Sequence, residues 1–187
     1  MRETASTNAC MARRRFLGVA ATTVATGCFG APLAARARSA PERSLSFYNI
    51  HTGESLKTVY WADGWYVEEG LKEIDRHLRD YRTGQIKQID LRLLNLLHDL
   101  RSVLDTTHAY SVISGYRSPQ TNAMLARHTT GVAPNSYHIR GMAIDIRVPG
   151  RYTEDIRWMA IGLRGGGVGY YPESDFVHVD VGPVRYW

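Results

Sequence analysis

A chain of 187 residues, 44% apolar and 22% charged, has the makeup of an ordinary globular protein with one sizeable core. The net charge of +5 does not mark a nucleic-acid binder. Residues 1–37 carry five arginines against one glutamate, so +4 belongs to that segment and only +1 to the remainder. Both cysteines, Cys10 and Cys28, also fall there, which excludes a disulfide framework or a cysteine-bound metal from residues 38–187.

Residues 1–37 read as a signal peptide of the twin-arginine type. Arg13-Arg14-Arg15-Phe16-Leu17 opens an apolar run that reaches Thr26, and Ala35-Arg36-Ala37 offers a small-x-small cleavage site. The run is too short and too poor in large side chains to span a membrane stably, so the mature protein is expected to be periplasmic. Thr26-Gly27-Cys28 weakly resembles a lipoprotein cleavage box. Lipid anchoring through Cys28 ranks below soluble release, because no large aliphatic residue stands three positions earlier.

Residues 38–44 are expected to be a flexible lead-in, followed by a domain over 45–187. Leu45–Asn49 and Leu56–Tyr60 flank His51-Thr52-Gly53 and predict a β-hairpin, with His51 an exposed turn residue. Leu71, Ile74 and Leu78 predict a helix over 67–81. Leu93, Leu97, Leu100 and Leu104 predict a second, capped by Asp90. His77 and His98, inside these helices, read as packed or surface residues. Val112–Gly115 reads as a strand, and Ser118-Pro119 as the cap and first position of a helix reaching His128. Arg117 then projects from a strand-to-helix loop, where either a functional role or a structural ion pair is open to it. A further helix capped by Thr153 and two strands, Val168–Tyr171 and Phe176–Val181, complete the order. The expected fold is α+β, a small and largely antiparallel sheet with flanking helices and its functional groups on one face.

Two stretches carry chemistry. In Ser136-Tyr137-His138-Ile139-Arg140-Gly141-Met142-Ala143-Ile144-Asp145, strand alternation puts Met142, Ile144, Ile146 and Val148 on a core face. Asp145 falls on the other, beside the small Ala143. Asp175-Phe176-Val177-His178-Val179-Asp180 brings a second histidine flanked by carboxylates. Two imidazoles and a carboxylate, with another carboxylate near, suit a catalytic zinc: three ligands, an open position and a base.

Together with Ser114-Gly115-Tyr116-Arg117-Ser118-Pro119 and Gly166-Gly167-Val168-Gly169-Tyr170-Tyr171, these stretches resemble the murein endopeptidase K-type group. That group lies within the D-alanyl-D-alanine carboxypeptidase and hedgehog-like zinc peptidases, and the similarity covers about residues 45–187. The resemblance implies Zn2+ held by His138, Asp145 and His178, with Asp175 as general base. Asp180 shares a face with His178 and competes for that role, or else fixes the imidazole from behind. Arg117 would stabilise an oxyanion or grip a substrate carboxylate. Ser136 and Tyr116 are candidate substrate-lining groups, with a turn hydroxyl and a packed ring as the alternatives. The implied substrate is the peptide of peptidoglycan, cut between meso-diaminopimelate residues. Within the same class the alternatives are a D,D-carboxypeptidase or D,D-endopeptidase, and outside it a non-catalytic zinc-containing wall-binding module.

Overall fold

The computed structural model describes residues 42–128 and 132–187. Strands β1 (Arg43–Asn49) and β2 (Ser55–Ala62) form the expected hairpin. Arg43 and Ser44, assigned above to the lead-in, belong to β1. The Arg43 guanidinium donates to Asn95 Oδ1 at 3.0 Å and covers the Trp61 ring, which holds the strand's start in place. A short β3 (Trp65–Tyr66) pairs with β2 and leads into α1 (Glu68–His77).

Helix α1 is shorter than its apolar period suggests. The Leu78 carbonyl, which a continuing helix would pair with Arg82, accepts instead from the Tyr116 amide at 2.8 Å. Asp80 then closes a turn in which its carbonyl accepts from Gly84 and its amide donates to Gln85. The crossing at Leu78 requires Gly115, because a Cβ there would lie 2.6 Å from the Leu78 carbonyl oxygen. Helix α2 (Leu91–Val103) begins as expected, with the Asp90 carboxylate accepting from the Arg92 amide. Its Leu93, Leu97 and Leu100 are fully buried, each contributing roughly 1.5–3 kcal/mol of apolar transfer.

β4 (Tyr110–Ser114) leads through Arg117 and Ser118 into α3 (Pro119–His128), whose Thr121 amide donates to Ser118 Oγ. A single 3-10 turn (Tyr137–Arg140) precedes β5 (Ala143–Arg147). Helix α4 (Thr153–Leu163) starts at the residue expected to cap it. Tyr152 holds the cap position without a side-chain bond, and Glu154 and Asp155 favour the amide end by charge. β6 (Gly167–Tyr171), β7 (Phe176–Asp180) and β8 (Arg185–Tyr186) close the chain.

The fold is α+β, as expected, but its sheet is not small. Eight strands run in the order β3-β2-β1-β4-β5-β7-β6-β8. Pairing is antiparallel except for β1 with β4 and β6 with β8. The N-terminal hairpin joins the sheet through that first parallel pair, a non-local contact that local sequence patterns do not announce. Ile144, Ile146, Val177 and Val179 point to the buried core, and α2 and α4 pack on the sheet. The opposite face of β5 and β7 carries Asp145, His178 and Asp180.

Candidate metal centre

Register brings the centre together. Asp145 and His178 are direct partners in the antiparallel β5–β7 pair, so their side chains share one face. The same row continues to Ser114 on β4 and Gly169 on β6. His138 arrives from the 3-10 turn. Ser136 caps that turn, its Oγ accepting from the His138 amide at 3.3 Å. Gly141 ends it at φ +68°, where a Cβ would also lie 2.5 Å from the Gln88 carbonyl oxygen.

His138 Nε2, Asp145 Oδ1 and His178 Nδ1 converge, separated pairwise by 3.2, 3.1 and 2.9 Å. All three residues are buried. The outer ring nitrogens are already bonded. His138 Nδ1 lies 2.7 Å from the Gly115 carbonyl oxygen, which can only accept, so the proton sits on Nδ1. His178 Nε2 donates to Asp180 Oδ2 at 2.9 Å. In the neutral imidazoles both inward nitrogens are therefore lone pairs facing an anionic oxygen. Three acceptors brought this close could hold a cation, and two imidazoles with one carboxylate form a donor set that zinc takes. The residues fit the metal that the resemblance implies.

Charges around the centre are strongly coupled. Burial would raise the Asp145 pKa, but His138, His178 and Arg117 override it and hold the carboxyl well below its usual range. Burial pushes His138 down, with Asp145 opposing. His178 is raised because hydrogen bonds to Asp145 and Asp180 outweigh its own desolvation. Arg117 clamps the free edge of the site, its Nη2 donating to Asp145 Oδ2 and its Nε to Ser114 Oγ at 2.7 Å. Asp145 is left with one oxygen for the centre and one for Arg117.

Asp180 lies fully buried behind His178. Its Oδ1 accepts from the amides of Gly167 and Gly182 and from Arg185 Nη1, and its Oδ2 from His178 and Arg185 Nη2. Burial alone would raise its pKa; the hydrogen bonds from His178 and Arg185 lower it far below the ordinary value. With every lone pair engaged, this carboxylate faces away from the open side of the site.

The centre opens into a cavity of about 420 Å³, the size of a small-ligand or short-peptide site. Ser136 and Arg117 line it, whereas the Tyr116 ring is buried in the hydrophobic core. Asp175 occupies the turn before β7 at φ +50°. It is exposed and paired with Arg147 at 3.4 Å, while its neighbours Ser174 and Phe176 line the cavity. Sequence reasoning missed the C-terminal wall. Trp187 lies with its ring 5.3 Å from that of His178 and donates Nε1–H to Tyr171 at 2.9 Å, and Arg185 stacks between Tyr137 and Trp187. Gly169 was the available signal. A glycine inside a strand marks close approach, and here a Cβ would lie 2.6 Å from the Trp187 ring.

A family model described as peptidoglycan L,D-endopeptidase MepK matches residues 37–187. The Escherichia coli K12 protein named peptidoglycan L,D-endopeptidase MepK is 39% identical over 175 residues, covering 94% of this chain and 96% of that protein. A Haemophilus influenzae protein named probable peptidoglycan L,D-endopeptidase MepK is 45% identical over 146 residues, 78% of each chain. Since the family match takes in the whole candidate centre and the relatives are covered along most of their length, the chain belongs to the peptidoglycan L,D-endopeptidase MepK family.

Proposed function

We propose that this protein is a zinc-dependent murein peptidase, exported to the periplasm by the twin-arginine pathway, that hydrolyses crosslinks between meso-diaminopimelate residues. The observation that carries the metal is the convergence of two imidazole lone pairs and a carboxylate oxygen, each held by an outer partner. Family membership and the names of the relatives support the substrate. Among the described residues no helix is long and apolar enough to cross a membrane.

His138 Nε2, Asp145 Oδ1 and His178 Nδ1 would hold the zinc. When bound, zinc supplies Lewis acidity to a peptide carbonyl and makes water acidic enough to act as a nucleophile near neutral pH. The Gly115 carbonyl and the Asp180 carboxylate fix both imidazoles in the ligating tautomer. Arg117 orients Asp145 and places a positive charge at the cavity wall, where it can stabilise negative charge growing on a carbonyl oxygen. Asp175 is the proposed proton acceptor. An exposed pair such as Asp175–Arg147 is worth about 0–1 kcal/mol, so releasing the carboxylate toward the cavity is cheap. Ser136 shapes the wall beside His138, and the buried Asp180 serves only as an orienting group.

The test is incubation of purified protein with crosslinked muropeptides, with and without a zinc chelator, with products identified by mass spectrometry. His138→Ala and Asp175→Ala run alongside. Cleavage that needs zinc and is lost in both variants is the expected result, and product masses identify the bond as L,D or D,D. Stoichiometric zinc binding with no cleavage of any muropeptide would refute the enzyme and leave a wall-binding module.

A further inference from the structure

Three arginines line the cavity: Arg82, Arg117 and Arg185. Two of them are engaged by buried carboxylates of the protein itself. Arg117 is held by Asp145, and Arg185 places both terminal nitrogens on Asp180. Just outside, Arg147 is taken by Asp175 and the Ser174 carbonyl. Arg82 differs. Among the described residues its guanidinium has no hydrogen bond or ion pair, and its contact is the ring of Tyr81, 4.3 Å away. That ring also stacks on His51 at 4.1 Å and 15°, and His51 in turn bonds the Ile113 carbonyl at 3.0 Å.

The backbone bearing Arg82 is fixed to the centre. Its amide donates to Asp80 Oδ1, and Asp80 Oδ2 accepts from the Ser118 amide, one residue from Arg117. Asp80 is buried, so this strut is shielded from solvent. A planar cation stacked on an aromatic face, its fork open to a cavity and its own backbone braced, is pre-organised for a carboxylate. We propose that Arg82 is a specificity-determining residue that binds a free carboxylate of the substrate peptide beside the scissile bond. The inference rests on the peptidase reading for its choice of ligand. It removes from Arg117 the carboxylate-gripping role, because Arg117 is already bound to Asp145.

The test uses two crosslinked diaminopimelate peptides, one with free carboxylates beside the crosslink and one with them amidated. Binding to the zinc-chelated protein is measured by calorimetry, and KM and kcat on the zinc-loaded protein, for wild type, Arg82→Ala and Arg82→Lys. Charge-assisted bonds of this kind correspond to about 10-fold or more in affinity. Arg82→Ala is expected to weaken binding of the carboxylate peptide and raise its KM by that factor with kcat nearly unchanged. Amidation should weaken the wild type but not Arg82→Ala, and Arg82→Lys should recover only part of the loss. Equal effects of amidation on wild type and Arg82→Ala, or no measurable binding of the carboxylate peptide to wild type, would overturn the assignment. Binding that follows this pattern without cleavage would instead refute the peptidase reading while leaving the Arg82 site standing.

Discussion

Replacing Asp180 with alanine probes the support of the candidate metal centre without touching a proposed ligand. The carboxylate accepts five hydrogen bonds, from two backbone amides, two arginine nitrogens and His178 Nε2, and is fully buried. Arg185 is partly exposed and can turn to water, but the buried Gly167 amide and His178 Nε2 cannot. Stranding two buried donors at about 1–3 kcal/mol each, together with a small cavity, gives a loss near 3–5 kcal/mol. His178 also loses the partner that fixes its tautomer, which corresponds to about 10–100-fold in metal affinity. Denaturant unfolding of the metal-free protein and zinc competition against a chelator measure the two effects separately. Asp180→Asn, which keeps volume and one acceptor oxygen, should fall between wild type and Asp180→Ala in both. A metal-free Asp180→Ala within about 1 kcal/mol of wild type, with zinc affinity unchanged, would refute the argument.

Four further outcomes are expected. Zinc at a free concentration 100 times its Kd should stabilise the protein by roughly 2.7 kcal/mol, read as a chelator-reversible rise in Tm that His138→Ala abolishes. Arg117→Ala should weaken zinc by about 10–100-fold by freeing Asp145, whereas Arg117→Lys, which keeps the charge but not the fork, should recover only part, both by the same competition assay. Gly169→Ala drives a Cβ to within 2.6 Å of the Trp187 ring and should cost about 1–3 kcal/mol while shifting tryptophan fluorescence as the ring leaves His178. Asp80 has a folded pKa of about 2 against an ordinary 3.8: burial raises it, but hydrogen bonds from Thr121 and Ser118 prevail. A depressed folded pKa means the stabilisation, about 2 kcal/mol, is full above pH 4 and lost as pH falls through 2. Asp80→Asn should flatten that acid limb in pH-dependent unfolding.

Much of the local plan was legible in the chain. The hairpin, the Asp90 cap, the leucine stripe of α2 and the Ser118-Pro119 helix start follow from short-range chemistry that neighbouring residues settle among themselves. Alternation along β5 assigned Ile144 and Ile146 to the core and Asp145 to the opposite face, and the family resemblance implied that His138, Asp145 and His178 form one centre. The end of α1 was not legible, because it depends on Tyr116 taking the Leu78 carbonyl from 38 residues away in sequence.

The site divides along the same line. Residue type and strand period raised the two histidines and Asp145 as candidates, since donor chemistry is a property of each side chain, and the family resemblance implied their roles. Which oxygen, ring nitrogen or arginine faces which partner depended on register. The pairing of Asp145 with His178, the burial of Asp180 behind the imidazole, the capture of Arg117 and the arrival of Trp187 over Gly169 are all contacts across the sheet. A chain announces its donors locally, but only tertiary packing decides which are engaged with one another and which, like the Arg82 guanidinium among the described residues, have no hydrogen bond or ion pair.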